Sequence, residues 1–303
     1  MMVNNMNSIV KNKYGQVQQL STSSLLIIDH EIMQAKVSLY GGQVLSWNPL
    51  GERDVFWLSD IAFNEQGKAI RGGIPICWPW FGKHPNDKDN TAGNHGFARC
   101  QLWQIGNIDI TEQGVEVVLS WQGKNMSALW SADCSLKQVL FFGKTFTQTL
   151  IMTNLSKKGV YYTGALHSYL AVSAPVNTTL TQLTKAPFED SLTGNACKPE
   201  EVITSLANGI DAIDRIYHSN DVIDVVDNVW QRTITLSTTD TKQWVFWNPG
   251  AELASQMIDI HDSGEQEFVC LEAANTQKQL LEAGKSLSMA QSITVTKHAS
   301  QCG

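Results

Sequence analysis

Arg71 and Arg99 bracket the stretch RGGIPICWPWFGKHPNDKDNTAGNHGFAR, which holds five glycines, three prolines, two tryptophans and two histidines. Glycine and proline at this density break helices and ladders. Ile74, Ile76, Trp78, Trp80 and Phe81 are nonetheless too apolar for a solvated loop. A rigid, irregular segment presenting guanidinium and imidazole groups suits a polar, anionic small ligand; the same composition suits an aromatic crossover between strands. Two guanidiniums fit a phosphate, because their N–H forks match its oxygens in pairs. Each charge-assisted bond contributes roughly 1.5–3 kcal/mol. Gly72 and Gly73, beside Arg71, allow a ligand close to the backbone. In HGFARCQLW, His95 and Arg99 stand four residues apart, which in a strand puts them on one side. The chain is acidic, so either arginine has carboxylates to pair with instead.

Two other groups have the chemistry of proton transfer. His167 lies in LHSYL, and Glu272 ends the apolar run FVCLE before Ala-Ala-Asn. Taken alone, His167 reads as a histidine satisfied within a sheet. Glu272 is either a solvated rim carboxylate or one inside a cleft with a raised pKa. Asp214 and Arg215, in IDAIDRIYH, read as a surface ion pair of little energetic consequence. Trp78, Trp80 and Trp247 have faces that stack on sugar rings, but in a chain with ten tryptophans most belong to the core.

The elements that would carry these residues read as strands. Residues 35–47, AKVSLYGGQVLSW, give two strands around Gly41-Gly42, a hairpin pattern. In 146–154, Phe146, Gln148, Leu150 and Met152 share one face by strict alternation. Residues 160–172 form a long β-like run interrupted by Gly164. Shorter strands are predicted at 25–28, 55–58, 114–121, 178–183, 222–226, 233–236, 244–247, 268–271 and 286–295, and one or two helical turns at 127–134. No long amphipathic helix pattern occurs. The expectation is an all-β chain, a large antiparallel β-sandwich, forming one domain over residues 1–303 with 1–20 peripheral.

Composition removes several function classes. The 303 residues carry 22 basic and 29 acidic side chains, net −7, with no basic run. Nucleic acid and anionic membranes are therefore poor partners. The six cysteines are scattered without a CxxC pair, which suits free thiols in a reducing compartment. The first residues, MMVNNMNSIVKNKYGQV, contain no apolar signal core, and the expected location is cytoplasmic. There is no GxSxG elbow, no complete P-loop around Gly284-Lys285-Ser286, and no HExxH or His/Cys cluster with metal spacing.

Taken in order, RGGIPICWPWFG at 71–82, NHGFARCQLW at 94–103, ALHSYLAV at 165–172, DRIY at 214–217, VFWNP at 245–249 and VCLEAAN at 269–275 resemble the aldose 1-epimerase (galactose mutarotase-like) superfamily. Within it they are similar to the glucose-6-phosphate 1-epimerase, or hexose-6-phosphate mutarotase, group. The resemblance spans about residues 20–297, and its first two motifs are the most specific. It implies a supersandwich fold and interconversion of hexose 6-phosphate anomers without cofactor or metal. It implies His167 as general acid and Glu272 as general base, the histidine protonated and the glutamate ionised at the start of turnover. Arg71, Arg99 and Asn94 would hold the substrate and its phosphate, and His95 and Asp214 its ring or hydroxyl oxygens. The partner implied is a small sugar phosphate, the chain itself being a monomer or weak oligomer. A non-catalytic carbohydrate-binding sandwich and a mutarotase of neutral aldoses are the alternatives; the first has no need for His167 and Glu272 in one cleft.

Overall fold

The computed structural model describes residues 6–20, 23–63, 65–199 and 211–298. They form three antiparallel sheets of five, eight and seven strands. The eight-stranded and seven-stranded sheets bury their facing sides in one apolar cluster, to which the five-stranded sheet adds Val17, Ile28, Val37 and Trp47. Among the described residues no helix is long and apolar enough to cross a membrane.

Alternation builds the sandwich. In the strand Thr145–Asn154, Phe146, Gln148, Leu150, Met152 and Asn154 are buried and the residues between them half-buried. The pair Met33–Ser38 and Gln43–Pro49 closes the hairpin expected around Gly41-Gly42. Met6–Lys11 and Gly15–Leu20 are the first two strands of the five-stranded sheet, with the largely exposed Met6–Lys11 at its edge. Two sequence expectations fail locally. No helix forms within 127–134, where a Ser127–Trp130 bridge leads into the strand Asp133–Gly143. Residues 55–58 make only isolated bridges, Phe56 to Leu170 and Leu58 to Gly72.

The seven-stranded sheet matters most for function. Its strands Ile213–Tyr217, Gln243–Asn248, Phe268–Leu281, Val160–Ala171 and Ile76–Cys77 lie side by side in that order. One face enters the main core through Leu166, Leu170, Trp244, Phe246, Leu271 and Ala273. Successive side chains alternate across a sheet, so the residues between these face the other way. There, Asp214, Trp247, Cys270 and Tyr169 form one cross-strand row. Ile216, Val245, Glu272 and His167 form the next. Trp57, Ile260 and Phe268 cover part of this second face in an apolar cluster of their own.

Candidate active site

His167 and Glu272 are direct cross-strand partners. His167 Nε2 lies 3.3 Å from Glu272 Oε1, and both side chains are buried. Backbone pairing thus brings together two residues far apart in sequence, on rigid neighbouring strands rather than loops. The imidazole is held on three sides by rings. It stacks on Tyr169 at 4.7 Å and 6°, and meets the edges of His95 at 5.8 Å and Trp247 at 5.9 Å. Ala165, Ala274 and Cys77 form the next row, a small apolar cluster against which Phe81 packs. His167 Nδ1, Glu272 Oε2 and Arg99 Nε are buried polar atoms without a protein partner. Buried polar groups are ordinarily bonded, so these three are where a polar ligand gains most.

The stretch 71–99 enters this face as a backbone-pinned arch. Ile76–Cys77 joins the sheet edge beside Val160–Ala171. His95 does not lie in a strand, so the strand geometry that would put it on one side with Arg99 does not apply. It has φ +66°, and Arg99 sits in the one-turn 3-10 helix Ala98–Cys100. The turn follows from Gly96, at φ +67°, whose Cα lies so close to Trp78 that a Cβ would come 2.1 Å from the Trp78 carbonyl. That carbonyl accepts the Phe97 and Ala98 N–H groups at 3.0 and 3.1 Å. His95 still reaches His167, and Arg99 donates through Nη2 to the Asn94 carbonyl at 2.9 Å. The Asn94 side chain is exposed.

Arg71 has partners within the protein. Its Nε donates to Asp259 Oδ2 at 3.1 Å and its Nη1 to the Tyr169 hydroxyl at 2.9 Å. Because Tyr169 stacks on His167, Arg71 also fixes the ring behind the imidazole. Asp214 lies on the same face as Glu272, whereas Arg215 points to the other face. The expected Asp214–Arg215 surface pair does not form. Arg215 is buried, pairs with Asp190 at 3.7 Å and covers the Phe188 ring.

Electrostatics set the proton inventory. Burial pushes Glu272 well above the usual carboxylate range, the nearby Asp214 adds to the rise, and Arg99 opposes it. Burial pushes His167 well down, helped by His95, Arg99 and Arg71. His95 is lowered by burial and by Arg99 and Arg71. Asp214 is raised by burial, with Ser191 bonding opposing and Asp190 adding. The direction therefore differs from the expected imidazolium–carboxylate pair. Desolvation favours neutral imidazole beside carboxylic acid, with one proton between them. Arg71 stays cationic, because Tyr169 and Asp259 outweigh the effect of burial.

Residues 24–294 match the family model described as aldose 1-epimerase. The chain belongs to the aldose 1-epimerase family. A Salmonella typhimurium protein named "Putative glucose-6-phosphate 1-epimerase" is 33% identical over 284 residues, covering 92% of this chain and 93% of that one. An Escherichia coli protein of the same name is 32% identical over 286 residues, with the same coverage. A crystal structure from Salmonella typhimurium, described as a putative mutarotase, superposes with TM-score 0.84 at 29% identity, covering 97% of each chain.

For this aldose 1-epimerase family chain, sequence reasoning missed Tyr169 and Asp259 and left Trp247 with the core. Trp247 is half-buried and meets His167 edge-on. A signal for Tyr169 existed, since it stands two residues from His167 in one strand and so on the same face. Asp259 carried none: it follows the short helix Gly250–Ala254 and reaches Arg71 only through the tertiary fold.

Proposed function

We propose that the chain interconverts the α and β anomers of a hexose 6-phosphate, with glucose 6-phosphate as the preferred substrate. The observation that carries this reading is the buried His167–Glu272 pair, 3.3 Å apart beside Arg99, in surroundings that raise the carboxyl pKa and lower that of the imidazole. Anomerisation needs a base to remove the proton of the anomeric hydroxyl and an acid to protonate the ring oxygen. The C1–O5 bond breaks, the C1–C2 bond rotates, and the oxygen attacks the other face of the aldehyde. The proton taken from the hydroxyl and the one given to the ring oxygen are then returned, so the pair ends as it began. His167 serves as acid and Glu272 as base when the proton starts on the imidazole. Roles interchange when it starts on the carboxyl, and reclosure reverses them in either case. Each group contributes about 10²–10⁴-fold.

Arg99, with its unpartnered Nε, takes the phosphate, and Arg71 adds a fixed positive charge while bracing Tyr169. Asn94 at the rim bonds the phosphate or a neighbouring hydroxyl. His95, kept neutral, and Asp214 bond ring and hydroxyl oxygens. The relatives bearing the glucose-6-phosphate 1-epimerase name support the phosphorylated substrate. The test is NMR exchange spectroscopy of anomers with catalytic amounts of the protein. Faster exchange of glucose 6-phosphate than of glucose or galactose is expected. Equal acceleration of all three removes the phosphate from the proposal, and no acceleration removes the reaction.

A further inference from the structure

A cavity of about 910 Å³ lies away from the catalytic pair. Phe81 lines the cavity on one side and contacts the His95 ring at 5.0 Å on the other. Three turns and a strand irregularity build it. One turn carries Lys83 and His84, a second Trp130, and a third, between Thr145–Asn154 and Val160–Ala171, carries Lys157 and Lys158. The fourth wall is the register shift between Gly164–Asn275 and Tyr162–Gln279, which re-aims Thr276 and Lys278.

The charge of the lining is unlike that of the chain. The protein is net −7, yet the cavity presents four lysines and no aspartate or glutamate. None of the four forms a salt bridge among the described residues; Lys83 donates to the Lys88 carbonyl at 2.8 Å and acts on the Asp87 carboxylate, which lies outside the lining. A concave surface of one sign focuses its field on the ligand. Of its aromatic lining, Trp80 and Trp130 are buried in the main core, and Tyr161, 59% exposed, offers a free ring at the mouth. The volume lies in the upper part of the range of about 300–1,000 Å³ that holds drug-sized ligands, larger than one hexose phosphate needs.

We infer that this lysine-lined cavity is a second ligand site, separate from the catalytic pair, that binds a ring-bearing diphosphate such as a nucleoside diphosphate. The ammonium groups hold the phosphates as point charges, and the exposed Tyr161 ring stacks on the ligand's ring. The site stands on its own residues, whatever sugar the catalytic pair turns over.

Calorimetric titration of the full chain at low salt tests it with three probes: ADP, inorganic pyrophosphate and adenosine. Saturable one-to-one binding of ADP is expected, with pyrophosphate at least several-fold weaker and adenosine weaker still. The K157E/K278E double variant should weaken ADP about 10-fold or more, while anomer exchange stays within about twofold. Tyr161→Ala, which keeps all four lysines, should lower ADP affinity but not that of pyrophosphate. Arg99→Ala should leave ADP affinity unchanged. The inference is overturned if neither anion binds the wild-type chain, if K157E/K278E with a native circular dichroism spectrum binds ADP as wild type does, or if Arg99→Ala abolishes binding, which would put ADP in the catalytic cleft.

Discussion

Glu272 carries the clearest conflict between function and stability in the molecule. It is buried beside Asp214, and its carboxyl is held well above the ordinary value of 4.5. A raised native pKa means that the native chain binds a proton the unfolded chain has released. Stability from that proton is therefore fully present below pH 4.5 and is lost as pH rises toward the native pKa, at up to about 1.4 kcal/mol per pH unit. Glu272→Gln keeps the shape and removes the titration. Its melting temperature relative to wild type should rise from pH 4.5 to pH 7.5, and a difference that stays flat across that range would refute the assigned environment. The same variant, like His167→Ala, should lose about 10²–10⁴-fold in kcat while retaining a native circular dichroism spectrum. Polarimetry after dissolving one crystalline anomer measures this directly, and near-wild-type rates in either variant would remove the pair from the chemistry. Sequence offered both residues as proton-transfer candidates and the family resemblance paired them, but each run read by itself left a satisfied histidine or a solvated carboxylate equally open. Their meaning comes from the register that sets one opposite the other, and pairing across strands so distant in sequence is not written in either run.

The stretch 71–99 was legible as an element that had to be rigid and irregular, because its glycines and prolines forbid regular structure while its tryptophans demand burial. Its geometry was less legible. The condition for His95 and Arg99 to share a strand face is not met, because Gly96 turns the chain against the Trp78 carbonyl. Gly96→Ala must therefore move the backbone on both sides, since the new Cβ would meet that carbonyl at 2.1 Å and the φ of +67° disfavours a side chain. A loss of more than about 1 kcal/mol in urea unfolding is expected, together with a raised KM as His95 and Arg99 shift. A wild-type KM would show that the arch does not position the substrate. The two bracketing arginines should separate in kinetics. Arg99 keeps a buried Nε without a protein partner, so Arg99→Ala should mainly raise KM by losing binding common to ground and transition states. Arg71 is tied to Asp259 and to the Tyr169 ring that backs His167, so Arg71→Ala should lower kcat as well. Identical effects of the two substitutions would overturn that division.

At the scale of the whole molecule, the face opposite the catalytic residues is tied to the second sheet by a file of buried amides. Ser168, next to His167 but pointing into the core, donates to Gln291 Oε1 at 3.0 Å. Gln291 donates to Gln148 at 2.8 Å, Gln148 to Gln138 at 2.5 Å, and Gln138 to the Gly42 carbonyl at 2.6 Å. Gln43, the next residue, donates to the Ile70 and Gly72 carbonyls on either side of Arg71. The file thus runs from behind His167, through the eight-stranded sheet, to the backbone that carries Arg71. Half of this was readable beforehand. Alternation in 146–154 put Gln148 among Phe146, Leu150 and Met152, a polar side chain on an apolar face. Its partners were less readable: Gln291 is its direct cross-strand neighbour on a strand distant in sequence, and Gln138 stands diagonally on the preceding strand, so both depend on pairing register that alternation does not give. Gln148→Leu preserves the apolar volume but leaves Gln138 Oε1 and Gln291 Nε2 buried without partners. Each unsatisfied group costs about 1–3 kcal/mol, so the urea midpoint should fall substantially, while kcat changes far less than in His167→Ala because Gln148 lies in the eight-stranded sheet and the catalytic pair on the far face of the seven-stranded one. A stability loss below about 0.5 kcal/mol would mean that the amides are solvated in solution and that the sheets are held by apolar packing alone.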